Sequence, residues 1–197
     1  MKDNEAGMDL ITTPSQTVGP YFRIGLTWKH PRPCIAAPEA KGERINLICR
    51  VFDGDGVPVN DALLEIWQAD ANGKYNHPDD AQAAIPDPGC HGFGRMGTDE
   101  QGSCEFQTVK PGRVPGAGNV LQAPHLNLGV FARGMLKQFY TRIYFAGDAA
   151  NHEDPVLALV PAERRSTLMA QPDAEHPGTW RFDVHMQGDQ ETVFFDV

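Results

Sequence analysis

Four side chains in this sequence could hold a hard metal ion: Tyr75, His77, His91 and His125 offer one phenolate oxygen and three imidazole nitrogens, the donors that a trivalent ion prefers. All four lie in or beside loop-like stretches, and no HxH, HExxH or paired-cysteine spacing ties them into one motif. As residue types alone, they read as structural or surface side chains. The segment His125–Arg133 is better ordered. Its period of two puts His125, Asn127, Gly129, Phe131 and Arg133 on one face and Leu126, Leu128, Val130 and Ala132 on the other. The second set is a core face. The first either meets solvent or lines a polar cavity, and Arg133 is its cation.

That cation matters because the chain carries a formal net charge of −9 over 197 residues. No Lys/Arg run offers the clustered basic surface that phosphate backbones require, so nucleic acid is excluded as a partner. An anionic small molecule could bind only where a local positive group opposes the global field. The N-terminus lacks the apolar segment of a signal peptide, and no apolar run approaches the ~20 residues of a membrane span, so a cytoplasmic protein without membrane contact is expected. Cys34, Cys49, Cys90 and Cys104 have no CxxC spacing and are expected as free thiols rather than disulfides or a zinc site.

The elements that position these groups are short. Sixteen prolines and 20 glycines punctuate brief apolar stretches, a pattern of many strands joined by turns. Ile45–Val51 alternates, Asp53-Gly54-Asp55-Gly56 turns the chain, and Ala62–Trp67 follows as a second strand. Further strands are predicted over Ser103–Val109, Leu126–Arg133, Gln138–Phe145, Trp180–Gln187 and Glu191–Val197. Seven strands suit a mainly β protein built as a sandwich of two packed sheets. Proline at a first helical position after Asp154 and at Pro161 predicts two short helices near 155–170. Lys74–Gly97 reads as one long irregular loop, and residues 1–40, with five prolines, as an arm that packs on another chain, leaving 41–197 as the sandwich domain. Trp67, mid-strand, reads as a core residue.

Leu63-Leu64-Glu65-Ile66-Trp67-Gln68-Ala69-Asp70-Ala71-Asn72-Gly73-Lys74-Tyr75 resembles a signature of the intradiol ring-cleaving dioxygenases. Thr108–Gly112, Ala123-Pro124-His125 and the ending from Arg181 to Asp196 extend the likeness over nearly the whole chain. Within that family, Thr13–Phe22 and the Phe131–Gly134 turn are similar to the α-type chain of two-chain members that cleave protocatechuate.

The resemblance implies a non-haem Fe(III) held by two tyrosinates and two histidines. Tyr75 and His125 match one of each, while Val114 and Asn127 stand where the second tyrosine and histidine belong. Valine has no lone pair and an amide is a weak neutral donor. The resemblance therefore implies no catalytic residue and no metal ligand set in this chain, with the iron carried by a β-type partner. It also implies that Thr17, Gly19, Pro20 and Tyr21 help wall the substrate pocket, and that Arg133 meets the carboxylate of a small aromatic acid that reacts with O2. Two alternatives stay open at this stage: a metal-free scaffold or binding module, and a self-sufficient enzyme recruiting His77 or His91.

Overall fold

Burial along Arg44–Phe52 alternates as a strand covered on one face requires: Ile45, Leu47, Cys49 and Val51 are buried, while Arg44 and Asn46 face solvent. The computed structural model describes residues 17, 19–29 and 31–196. Its strands are β1 (Arg44–Phe52), β2 (Leu63–Trp67), β3 (Phe93–Gly97), β4 (Ser103–Val109), β5 (His125–Phe131), β6 (Phe139–Phe145), β7 (Met169–Pro172) and β8 (Thr179–His185), and one helix, α1, spans Pro20–Thr27. Their order is β3-β2-β5-β6-β7-β8-β1-β4. The short β7 joins two layers, pairing β6 through Met169 and Ala170 and β8 through Gln171 and Pro172. The successive strands β1 and β2 thus fall in different sheets.

Apolar faces of both sheets meet in one core. Leu47, Val51, Phe106, Phe182 and Val184 come from one layer, and Leu64, Ile66, Leu126, Leu128, Ile143 and Phe145 from the other. Full burial of each such side chain contributes about 1.5–3 kcal/mol before entropy is counted. This is the mainly β sandwich expected from the sequence. All four cysteines are free, three of them buried.

Several expectations about elements need correction. Glu191–Val197 is no strand among its described residues: only Phe195 bridges to β6, at Tyr140. β5 pairs one edge of β6 and β7 takes the other at Tyr144 and Phe145, which leaves only the stretch around Tyr140 for the C-terminal segment. The two helices near 155–170 are 3₁₀ turns, Leu157–Leu159 and Ala162–Leu168. Asp154 caps the start of this region by accepting the Val156 and Leu157 amides, but each segment is at most seven residues long and stays 3₁₀.

The stretch 74–97 is not all loop, since its end forms β3 against β2. Gly94 in β3 admits Ile35, whose Cγ1 lies 2.6 Å from where a Cβ would sit. Trp67 is not a core residue. It is partly exposed on the outer face of β2, in register with Asn127. Residues 32–36 run along the chain's own sheets, bridging Arg95, Gln107 and Cys90, with Ile35 and Ala36 fully buried. Helix α1, which proline content concealed, begins at Pro20 after an extended Gly19.

Candidate functional site

The outer face of β5 carries the polar groups, and its two ends present two different environments. At the N-terminal end, His125 is 3% exposed and its Nδ1 donates to the Ala123 carbonyl at 2.8 Å. A carbonyl can only accept, so the proton sits on Nδ1. Asp154 holds that segment in place by accepting the Ala123 amide at 2.7 Å and the Tyr144 hydroxyl at 3.1 Å. Burial first, and then the positive field of Arg142, pushes His125 down to about 4, so the imidazole is neutral near pH 7.

Two residues along, Asn127 donates its amide to the Tyr75 hydroxyl and the Trp67 carbonyl, each at 3.3 Å. Burial raises the Tyr75 phenol, opposed by the Asn127 hydrogen bond and Arg142, so it is held as a neutral phenol. Tyr75 also stacks on Trp67 with ring centroids 5.8 Å apart. A cleft of about 680 Å³ opens beside them, lined by Trp67, Tyr75, His77, Asp80 and buried Val114, with Asn119 at its edge. Asn119 has φ 60°, a left-handed conformation that asparagine tolerates.

Beyond the C-terminal end of β5, six residue steps or roughly 20 Å away, Arg133 and Gly134 border a second hollow of about 640 Å³ with Val57, Met135 and Leu136. Arg133 is largely exposed, with Nε 3.2 Å from Oδ2 of Asp61. The Gly134 amide donates to Thr17 Oγ1 at 2.9 Å, a contact between residues 117 apart in sequence. Helix α1 packs here through Phe22 on Phe131, ring centroids 5.4 Å apart.

The dioxygenase model of protein families matches residues 18–188. The chain is 49% identical to the protocatechuate 3,4-dioxygenase alpha chain of Burkholderia cepacia, over 95% of this chain and 98% of the relative. Intradiol dioxygenase is what this chain is, by family. The match extends at 34% identity to the protocatechuate 3,4-dioxygenase beta chain of Burkholderia cepacia, over 78% of this chain and 68% of that one. In fold it is similar to the intradiol ring-cleavage dioxygenase from Tetranychus urticae, with a TM-score of 0.62 at 20% identity over 79% of this chain and 85% of that chain.

Intradiol dioxygenases use Fe(III). The donors at Tyr75, Val114, His125 and Asn127 do not fit such an ion. Val114 supplies nothing, and Asn127 turns an N–H rather than a lone pair toward the phenol oxygen. Among the described residues no group of three or more His, Cys, Asp or Glu could hold a metal. His77 sits edge-on to Trp67 with its Nδ1 accepting the Asp79 amide, and among the described residues neither it nor His91 falls in a group of three His, Cys, Asp or Glu that could hold a metal.

The structure brings Thr17 to the Arg133–Gly134 turn, with Gly19 and Tyr21 on the same stretch of chain. Among the described residues nothing lies within 4 Å of a Cβ built at Gly19, so no packing among them demands glycine there. Tyr21 is 84% exposed. Pro20 opens α1; Thr13–Gln16 and Val18 lie outside the described residues.

Three side chains escaped sequence reasoning: Arg142 and Tyr144 beside the donor remnant, and Asp61 beside Arg133. A signal for the first two existed. In Gln138–Phe145 the alternation that puts Phe139, Thr141, Ile143 and Phe145 inward puts Tyr140, Arg142 and Tyr144 on the face shared with His125 and Asn127.

Proposed function

We propose that this chain is the α-type subunit of a protocatechuate 3,4-dioxygenase, acting with an iron-bearing β-type chain to cleave protocatechuate with O2 to 3-carboxy-cis,cis-muconate. The observation that carries this reading is the separation of cation from remnant. Along β5 and its continuation Arg133 stands six residue steps, roughly 20 Å, from Asn127 and eight, roughly 26 Å, from His125, in its own hollow. A carboxylate held by Arg133 is therefore presented to a centre outside this chain's donor cluster. The likeness to both an alpha chain and a beta chain supports a two-chain assembly.

In this reading the chain binds and orients, and it moves no proton. Arg133 meets the substrate carboxylate, a charge-assisted contact worth roughly 1.5–3 kcal/mol where well formed. Thr17 pins the turn that carries it, while Gly19 and Pro20 let backbone approach the planar ring and Tyr21 closes the wall. The exposed Tyr21 of α1 and Trp28 at its end face the partner, whose Fe(III), when bound, would supply the chemistry that brings O2 and the ring together. Arg133→Ala is expected to raise KM for protocatechuate at least about tenfold, with a smaller change in kcat and unchanged iron content. Steady-state kinetics of the assembled enzyme check this, and an unchanged KM refutes the role.

A further inference from the structure

The two lost ligands are only part of what keeps ferric iron out of this chain, because a guanidinium now stands beside the vacated donors. Arg142 is the direct cross-strand partner of Asn127 in the β5–β6 register, on the same outer face as His125 and Tyr144. Directly paired residues on neighbouring antiparallel strands have Cβ atoms about 4.5–5.5 Å apart, so Arg142 stands over the position where the second histidine is missing. Its Nη1 donates to Oε1 of Gln122 at 2.7 Å and lies 3.4 Å from the Tyr144 hydroxyl. Gln122 is anchored in turn, its amide donating to the Val114 carbonyl at 2.8 Å.

One network thus runs from the residue that replaced a tyrosine, through Gln122, to Arg142, opposite the residue that replaced a histidine. Other charges face the cluster as well. Asp154 lies behind Tyr144, and Asp80, which pairs with Lys74 at 3.1 Å, lies beside Tyr75. Asp154 is turned toward backbone amides and Tyr144, and Asp80 toward Lys74 and amides. Asp80 acts on the phenol and Asp154 on the imidazole, each less strongly than Arg142, which leads the field over both. A cation fixed a few ångströms from an Fe(III) site opposes binding, and low local dielectric strengthens that opposition.

We propose that Arg142 is a charge substitute for the family's metal: it occupies the positive position of the remnant site and excludes ferric iron independently of the missing ligands. This makes the donor cluster a locked polar core, with Arg142 as a positioning residue held by Gln122 and Tyr144.

The test rebuilds the donors in the full chain, in the assembly in which it purifies, and measures iron beyond that carried by the unaltered assembly. Val114→Tyr/Asn127→His restores all four ligand types but keeps the guanidinium. Val114→Tyr/Asn127→His/Arg142→Gln removes it with a side chain that retains a hydrogen-bonding amide. The triple variant is expected to take up additional Fe(III), with a new phenolate-to-iron absorption band in the visible, and the double variant at least about tenfold less. Equal loading of the two overturns the proposal. So does absence of extra iron from both when their melting temperatures match the unaltered chain, since the lost ligands and Arg142 would then not account for exclusion. Reintroducing the cation as Arg142→Lys in the double background should again block loading, and loading there also overturns it.

Discussion

Arg133 is poised rather than consumed by its ion pair. Asp61 Oδ2 lies 3.2 Å from Nε, and among the described residues the terminal guanidinium nitrogens have no hydrogen-bond partner. Asp61 is mostly buried, with Oδ1 lacking a partner, so its second oxygen contributes to aim rather than to a closed bidentate pair. Asp61→Asn should keep the shape and weaken the aim. KM for protocatechuate is expected to rise about threefold, and the double variant with Arg133→Ala to match Arg133→Ala alone, because both act through one contact. Asp80 makes a second residue-scale prediction. Desolvation opposes its ionisation, but the Gln82 and Tyr75 amides and the Lys74 ammonium outweigh it and hold the carboxyl at about 2. Its folded value is below the ordinary carboxylate value of about 3.9, so its stabilisation is present above that pH and is lost as pH falls toward 2. Acid unfolding followed by circular dichroism should therefore be less steep between about pH 4 and 2 in Asp80→Asn.

Two elements set where these residues stand. The turn after β2 brings Tyr75 to the remnant, and it is organised by Asp70, whose side chain accepts the Asn72, Lys74 and Asp87 amides. Gly73 closes that turn at φ 81°, with the Arg113 carbonyl 1.9 Å from where a Cβ would lie. Gly73→Ala should destabilise the chain by more than about 2 kcal/mol in urea denaturation, because both the backbone conformation and the contact must change. Helix α1 is the other element. Phe22 and Arg23 tie it to β5 and to the Thr98 carbonyl, while Tyr21 and Trp28 are 84% and 77% exposed. Large exposed aromatics flanking a proposed pocket wall suit burial against a partner. Trp28→Ala is expected to weaken assembly with the β-type chain about tenfold by sedimentation, leaving this chain's melting temperature unchanged.

At the scale of the molecule, two regions of different character lie along β5 and its continuation. The proposed pocket wall around Arg133 has Val57, Leu136 and Arg133 exposed, whereas at the remnant His125 is buried and Tyr75, Asn127 and His125 are tied up in internal hydrogen bonds beside the cleft. Expressed without a β-type partner, the chain should show neither ring cleavage nor iron colour, and co-expression should restore both. Activity of the chain alone would contradict this division of labour. Among the described residues no helix is long and apolar enough to cross a membrane.

Alternation along Ile45–Val51 and Leu126–Ala132 was enough to assign core faces, because a strand's side chains change sides at every residue whatever it pairs with. Family resemblance implies that ligands are missing at Val114 and Asn127, a reading that needs only residue identity at matched positions. Local pattern could not say which strand neighbours which, so it missed β3, placed Trp67 in the core and extended a strand to Val197 where only Phe195 bridges β6. It also could not place Arg142 opposite Asn127, Asp61 beside Arg133 or Thr17 on Gly134. Those pairings join residues 15, 72 and 117 positions apart, and only packing of the two sheets sets which distant residues share a register and which face each other across it.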